Sequence, residues 1–261
     1  MSVRSASRNI HAEVFVVDNN STDSTTAVEP RYSEAKFIWN KENVGFAKAN
    51  NQALELATGK YVLFLNPDTI VPKDCFEKCI NYFESHQDTG ALGVRMVDGE
   101  GKFLKESKRG FPSPSASLYK MTGLAKIFPQ SKLFAKYYAG NLSEDQNNEV
   151  DALAGAFMMI PKKVLDQVGS FDERFFMYAE DIDLSYRIQQ AGYRVVFFAE
   201  ATITHFKGSS TDTKSKKYIE LFYIAMEQFV DKHYNNKPVI YRFFLKSGIK
   251  MRKALAMIFK K

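Results

Sequence analysis

The sequence predicts an α/β fold with a mixed, mostly parallel sheet flanked by helices, and three observations predict it. Runs rich in β-branched and aromatic residues occur at AEVFVVD (12–18), KFIWN (36–40) and YVLFLN (61–66). Stretches with helical spacing of apolar residues occupy 46–57 and 72–85. Loops rich in Asn, Asp, Gly and Pro separate the two kinds of segment, the pattern of strands and helices in alternation.

Taken in order, AEVFVVD reads as a strand, and NNSTDST after it as a loop able to cap a following helix. KFIWN is a second short strand. The helix FAKANNQALELA stops at Thr58-Gly59, and the buried strand YVLFLN is broken by Pro67. Ligands of such folds sit beyond the carboxyl ends of strands, which is where Asp18 and Asp68 stand. Texture changes over about 95–148. There GVRMVDGEGKFL suggests a hairpin, RGFPSPSAS a loop and NLSEDQNNEV a polar, mobile segment, so an insertion is expected. Regularity returns with VDALAGAFMMIPKKVLDQVG (150–169), a strand then a helix. FDERFFMYAEDIDLSYRIQQAG (171–192) follows and ends at Gly192, and YRVVFFAEATITHF (193–206) supplies the last strands.

A chain of 261 residues, 45% of them apolar, suffices for one large domain. Its net charge of +6 is unevenly spread, because 232–261 holds nine Lys or Arg and no Asp or Glu, leaving the remainder net acidic. This argues against nucleic-acid binding and divides the chain into a domain at 1–231 and a basic tail at 232–261. Within the tail Arg242, Lys246, Lys250 and Lys253 follow helical spacing, with Phe244, Met251, Leu255 and Ile258 on another face. Such an amphipathic helix lies on an anionic membrane surface or packs on the protein body. Gly248 in its middle works against a helix. The longest apolar runs fall far short of a membrane span, and MSVRSASRNI has no apolar core, so a cytoplasmic location is expected, with peripheral contact to the inner membrane surface through 239–261. Cys75 and Cys79 are expected as buried or free thiols.

Asn66, Pro67, Asp68 and Thr69 follow a strand end. A carboxylate there can meet a metal and leave coordination positions for a diphosphate, although an Asx-type turn starting the next helix explains the same residues. The cluster Glu180, Asp181 and Asp183 resists a purely structural account, since three crowded carboxylates repel and Arg187 pairs with only part of their charge. One of them, beside an acceptor hydroxyl, can serve as a general base. His205 at a strand end is by itself more often structural, but with Asp68 it makes a ligand pair suited to manganese or a similar ion.

The motifs VVDNNSTDST (16–25), NVGFAKANNQAL (43–54), FLNPDT (64–69), LAGAFMMIPKKVLDQVGSFDERFFMYAEDIDLSYR (153–187) and the downstream His205 together resemble the family 2 glycosyltransferases, especially the bacterial rhamnosyltransferase-like members. The resemblance implies the Rossmann-like GT-A fold, a nucleoside diphosphate sugar as donor, a glycan or lipid-linked acceptor in cell-surface polysaccharide synthesis, and Mg2+ or Mn2+ as cofactor. It implies that Asp18 contacts the nucleobase, with Asn20, Asn43 and Gly45 also at the donor. Asn66 to Asp68 stand where the family has its DXD motif, with Asp68 and His205 as metal ligands. Gly155 and Ala156 match the small pair beside the donor sugar. Asp181 matches the catalytic base of an inverting displacement, supported by Glu180 and Asp183. The family's opening strand is not matched by MSVRSASRNI, so an N-terminally truncated sheet is expected, and the alternative is a catalytically impaired remnant or nucleotide-sugar-binding module. A nucleotidyltransferase is disfavoured by the lack of a Gly-rich basic loop after a first strand.

Overall fold

The computed structural model describes residues 2–113, 115, 119, 122–206 and 215–258, so parts of the 109–117 loop and the last three residues of the tail lie outside the described residues. The chain runs α1 (Ser2–Ala6), β1 (Phe15–Asp18), a 3-10 segment (Ser24–Arg31), β2 (Lys36–Trp39), α2 (Phe46–Leu56), β3 (Tyr61–Leu65), β4 (Thr69–Ile70), α3 (Cys75–Ser85) and β5 (Thr89–Val97). It continues through α4 (Leu124–Ile127), β6 (Asn148–Glu149), β7 (Phe157–Pro161), α5 (Lys162–Val168), α6 (Glu180–Gln190), β8 (Arg194–His205), α7 (Lys216–His233) and α8 (Val239–Ile258). Asp23 caps the 3-10 segment by accepting from the Thr25 N–H at 2.9 Å, the capping expected of the 19–25 loop.

Among the described residues, six strands form one sheet in the order β3-β7-β5-β8-β4, with β6 added to β8, while β1 and β2 pair only with each other. The β5–β8 ladder is parallel and the longest, and β1–β2 is parallel too. β7 enters between β3 and β5 from the opposite end and is antiparallel to both, and β4 and β6 are antiparallel to β8. The sheet is therefore mixed, with less parallel pairing than the alternation of strands and helices suggested. That alternation carries no information on the direction in which a later strand returns.

Strand periodicity distributes the core over both faces. Leu92, Val94, Met96 and Phe198 point to one face, where Cys75, Phe76, Cys79 and Phe83 of α3 cover them together with Ala6 of α1. Ala91, Val195 and Phe197 point to the other, against Leu165 of α5 and Leu184 and Ile188 of α6. Each such large side chain contributes about 1.5–3 kcal/mol by leaving water. Both cysteines are free and buried, as expected. A third cluster joins Ile182 of α6 to Phe229 and Val230 of α7 and to Leu245 and Ile249 of α8. The α8 helix runs straight through Gly248.

Two expectations for 95–148 change. Residues 95–97 belong to β5 at the centre of the sheet, and the turn at 98–102 returns only as an isolated bridge between Val97 and Phe103. The polar segment expected to be mobile is tied to β8: Asn147 accepts from the Ala199 N–H at 2.8 Å and donates to Glu200 at 2.7 Å.

Candidate active site at one end of the sheet

Backbone pairing between β4 and the end of β8, with Thr69 opposite His205, brings Asp68 to the imidazole. The Phe206 N–H donates to the Asp68 carbonyl at 2.8 Å, and His205 Nε2 lies 3.2 Å from Asp68 Oδ1. Both side chains are almost fully buried, and His205 Nδ1 has no hydrogen-bond partner among the described residues. A carboxylate and an imidazole held together, with a ring nitrogen unsatisfied, fit a divalent ion of the Mg2+ or Mn2+ type. No group of three or more His, Cys, Asp or Glu placed to hold a metal occurs among the described residues, so this pair supplies two ligands at most. The 66–69 turn is closed by Thr69 Oγ1 donating to the Asn66 carbonyl at 2.8 Å, and the Asn66 N–H donates outside it to Ala156 O at 3.0 Å.

That last bond links the turn to the Gly155-Ala156 pair, which precedes β7 beside the end of β3. The Gly155 N–H in turn donates to Asp181 Oδ2 at 3.0 Å. Asp181 sits in the first turn of α6, where the helix dipole favours negative charge. Two successive non-glycine residues with left-handed backbone, Tyr178 (φ 70°) and Ala179 (φ 64°), swing the chain into that helix. Each costs about 1–2 kcal/mol, and strain of this kind collects at functional sites.

The three carboxylates of this helix have three different environments. Asp181 accepts from Ile182 N–H at 2.8 Å on Oδ1, and from Arg109 Nη2 at 2.5 Å on Oδ2 beside the Gly155 N–H. Burial works against the charge of Arg109, but Asp181 and then Tyr137 more than offset it, raising its pKa further. Arg109 Nη2 also donates to the Leu153 carbonyl. Glu180 is buried, its Oε2 has no hydrogen-bond partner among the described residues, and burial followed by the charge of Asp181 pushes its pKa up to about 8. Asp183, fully buried, accepts from Lys232 Nζ and His233 Nε2, each at 2.6 Å, and from Arg187 Nε at 2.9 Å. Burial alone would raise its pKa; His233, Arg187 and Lys232 reverse the sign and lower it.

The remaining expected residues form an adjoining pair of loops. Asp18 is buried at the end of β1 and accepts from the Ser21 N–H at 2.9 Å, and Asn20 has a left-handed backbone (φ 63°). Asn19 Nδ2 reaches the Gly45 carbonyl at 3.2 Å. Asn43 Oδ1 accepts from the Gly45 N–H at 3.0 Å, and Phe46 N–H donates to Phe176 O at 2.8 Å. Gly45, with φ 88°, lies so close to Phe176 that any Cβ would collide with it. Thus Asn43 and Gly45 serve each other and the 171–179 loop, and they bridge the β1 end to the start of α6. Arg109, Lys232 and His233 were missed. The unbalanced negative charge of the cluster was a signal that some cation had to reach it, but nothing local said which.

The glycosyl transferase family 2 model matches residues 2–169, which contain the Asp18 and Asp68 motifs and stop short of α6 and His205. The N-acetylglucosaminyl-diphospho-decaprenol L-rhamnosyltransferase of Mycobacterium tuberculosis is 27% identical over 256 residues, covering 93% of this chain and 82% of that protein. Rhamnosyltransferase WbbL of Escherichia coli is 29% identical over 206 residues, covering 75% and 73%. Among solved structures, a mannosyltransferase of Pyrobaculum calidifontis in complex with GDP-Man and Mn2+ superposes with a TM-score of 0.56 at 17% identity, over 94% of this chain and 63% of that one. GalNAc-T7 with UDP, GalNAc and Mn2+ gives 0.55 at 14%, over 92% and 49%. The chain spans about half to under two thirds of these solved chains, and the likeness establishes a GT-A glycosyltransferase fold.

Proposed function

The chain belongs to glycosyl transferase family 2 and is a glycosyltransferase, and from that premise we propose that it moves a sugar from a nucleoside diphosphate sugar to a hydroxyl of a lipid-linked glycan, with inversion, in cell-surface polysaccharide synthesis. The observation that carries this reading is the convergence of Asp181 and the Asp68–His205 pair on one end of the sheet. Asp181 takes the proton of the acceptor hydroxyl as that oxygen bonds to the anomeric carbon, while the bond from that carbon to the diphosphate oxygen breaks and its electron pair leaves with the diphosphate. Arg109 and the Gly155 and Ile182 N–H groups aim the Asp181 carboxylate. Asp68 and His205 would hold Mg2+ or Mn2+, which when bound supplies positive charge to the departing diphosphate. Asp18 and Asn20 line the nucleoside end, and the small Gly155-Ala156 pair gives the donor sugar room. The names of the relatives favour rhamnose as the sugar transferred and a diphospho-lipid saccharide as the acceptor.

Incubation with Mn2+ and a panel of UDP-, dTDP- and GDP-sugars plus a diphospho-lipid acceptor tests the proposal. Nucleoside diphosphate release is expected with one donor, and Asp181→Asn should lower it by roughly 10²–10⁴. No release with any donor overturns the proposal.

The same reading includes contact with the cytoplasmic membrane face through α8. No helix among the described residues is long and apolar enough to cross a membrane. One face of α8 packs inward through Leu245 and Ile249, while Ile240, Phe243, Phe244, Met251 and Ile258 are exposed on another. The helix carries five Lys or Arg and no acidic residue, the combination that binds anionic lipid. Flotation with phosphatidylglycerol vesicles should be lost in Phe243→Glu/Phe244→Glu, and equal flotation of the variant removes α8 from the reading. A second reading, a binding module without turnover, is favoured by the separation of β1–β2 from the main sheet. Micromolar binding of nucleoside diphosphate together with turnover would exclude it.

A further inference from the structure

Residues 122–142 form a loop tied together by its own bonds, and it leaves large apolar side chains in water. Ser131 Oγ accepts from the Leu133 and Phe134 N–H groups, each at 3.2 Å, and the Phe134 ring meets that of Phe128 at 5.5 Å. The Gly140 N–H donates to Ala135 O at 3.2 Å, and a Cβ on Gly140 would overlap the Pro129 carbonyl. Lys108, itself buried, fastens the end of the loop by donating to the Ala139 and Leu142 carbonyls at 2.8 and 2.9 Å. Yet Ile127 is 66% exposed, Leu133 56% and Phe128 49%. Apolar patches of this kind, rimmed by polar residues, mark interaction surfaces.

Charge narrows the partner. Over 107–143 the sequence holds six Lys or Arg and no Asp or Glu. Lys108 and Arg109 are taken up internally, Arg109 by Asp181, but Lys132, next to Leu133 in the chain, and Lys136 are exposed. No acid within the segment neutralises them. A second copy of this face would meet it with like charge, which opposes self-association. Apolar side chains among uncompensated cations fit the boundary of an anionic bilayer, where acyl chains receive the former and phosphates the latter.

The same combination occurs in α8, and the backbone joins both elements to one short segment. The Gly110 N–H donates to Tyr137 O at 2.8 Å, one residue beyond Lys136. The Pro112 carbonyl accepts from Tyr234 Oη at 2.9 Å, and the Tyr234 ring meets Tyr241 of α8 at 5.9 Å. Gly110 and Pro112 are at most about 7 Å apart. Ile240, Phe243 and Phe244, the exposed apolar residues of α8, surround Tyr241 in the chain. We infer that residues 124–136 form, together with α8, a two-part docking surface for an anionic membrane. The inference rests on the reading of α8 as a membrane element. It adds a second contact, bonded to the segment that carries Arg109 and through it Asp181.

The test uses the full chain and vesicles of phosphatidylcholine with or without phosphatidylglycerol, and it needs no turnover. Trp39 is the sole tryptophan, so Trp39→Phe/Leu133→Trp places the only indole on the loop. Brominated acyl chains should quench its emission roughly twofold in vesicles containing phosphatidylglycerol, because the apolar face enters the acyl boundary. Phosphatidylcholine alone should leave it unquenched. Phe128→Ser/Leu133→Ser and Lys132→Gln/Lys136→Gln should each weaken partition onto the anionic vesicles on the order of tenfold. All four residues are half-exposed or more, and the indole reports on the loop however those variants fold. Flotation of the indole variant without quenching overturns the inference and leaves α8 as the membrane contact. Absence of flotation by the unmodified chain overturns both readings. Self-association in sedimentation equilibrium that Phe128→Ser/Leu133→Ser abolishes would assign the face to a second copy and overturn the inference as well.

Discussion

Arg109 Nη2 donates to Asp181 Oδ2 at 2.5 Å, with both side chains largely buried. The two residues stand 72 positions apart, and the pair ties a loop segment to the first turn of α6. Removing one member of such a pair leaves the other charge uncompensated, at a cost of about 3–5 kcal/mol. Arg109→Met should therefore lower the urea midpoint markedly. It should also cut kcat on the order of a hundredfold, since Asp181 loses one of the three donors that aim it. Arg109→Lys keeps the charge without the planar fork that also reaches the Leu153 carbonyl, and should fall between. Equal stability of wild type and Arg109→Met in urea would count against the pair as a structural element.

How far the site could be read in the sequence follows the range of its interactions. Glu180, Asp181 and Asp183 stood out because their conflict is local, three carboxylates within four residues. Its resolution is not local. Arg109 lies in a stretch that reads as loop and pairs with Ala152 through an isolated bridge that leaves no periodicity. Lys232 and His233 stood at the start of what read as a basic tail, yet they end α7 and clamp Asp183 fifty residues away. The strands themselves were legible from their apolar runs, but the antiparallel insertion of β7 between β3 and β5 depends on long-range packing.

Glu180 makes stability depend on pH in a direction opposite to that of a salt-bridged acid. Its folded pKa is raised from 4.5 to about 8 by burial and by Asp181, so between these values the folded state keeps a proton that the unfolded chain has released. Stability from this group is full below pH 4.5 and is lost as pH rises towards 8. Glu180→Gln removes the dependence. Its melting temperature relative to wild type should climb steadily from pH 5 to pH 8, and a constant offset across that range would show that Glu180 is not protonated in the fold.

The Asp68–His205 pair predicts a divergence between two variants. In isothermal titrations with nucleoside diphosphate, His205→Ala should need roughly 10–100-fold more Mn2+ to reach the same affinity, since even partners of metal ligands commonly carry that much. Asp68→Ala should abolish the Mn2+ effect, because the carboxylate is the charged member of the pair. Nucleotide binding that ignores Mn2+ in the wild type would mean that the two residues are held together for structural reasons alone.

Gly45 offers a way to separate a donor contact from a scaffold contact. It combines a left-handed φ of 88° with a backbone so close to Phe176 that a Cβ would overlap the carbonyl oxygen and the ring. Gly101 shares the left-handed backbone (φ 83°), but a Cβ there would meet nothing within 4 Å, so Gly101→Ala reports the conformational cost alone. Gly45→Ala should lose about 1–3 kcal/mol more in urea unfolding than Gly101→Ala, the range typical of strained functional backbone. Only Gly45→Ala should lower kcat, because displacement of Phe176 passes through Tyr178 and Ala179 to the first turn of α6. If Gly45→Ala instead matches Gly101→Ala in stability and raises only the donor KM, then Gly45 acts on the donor directly and the Phe176 contact is incidental.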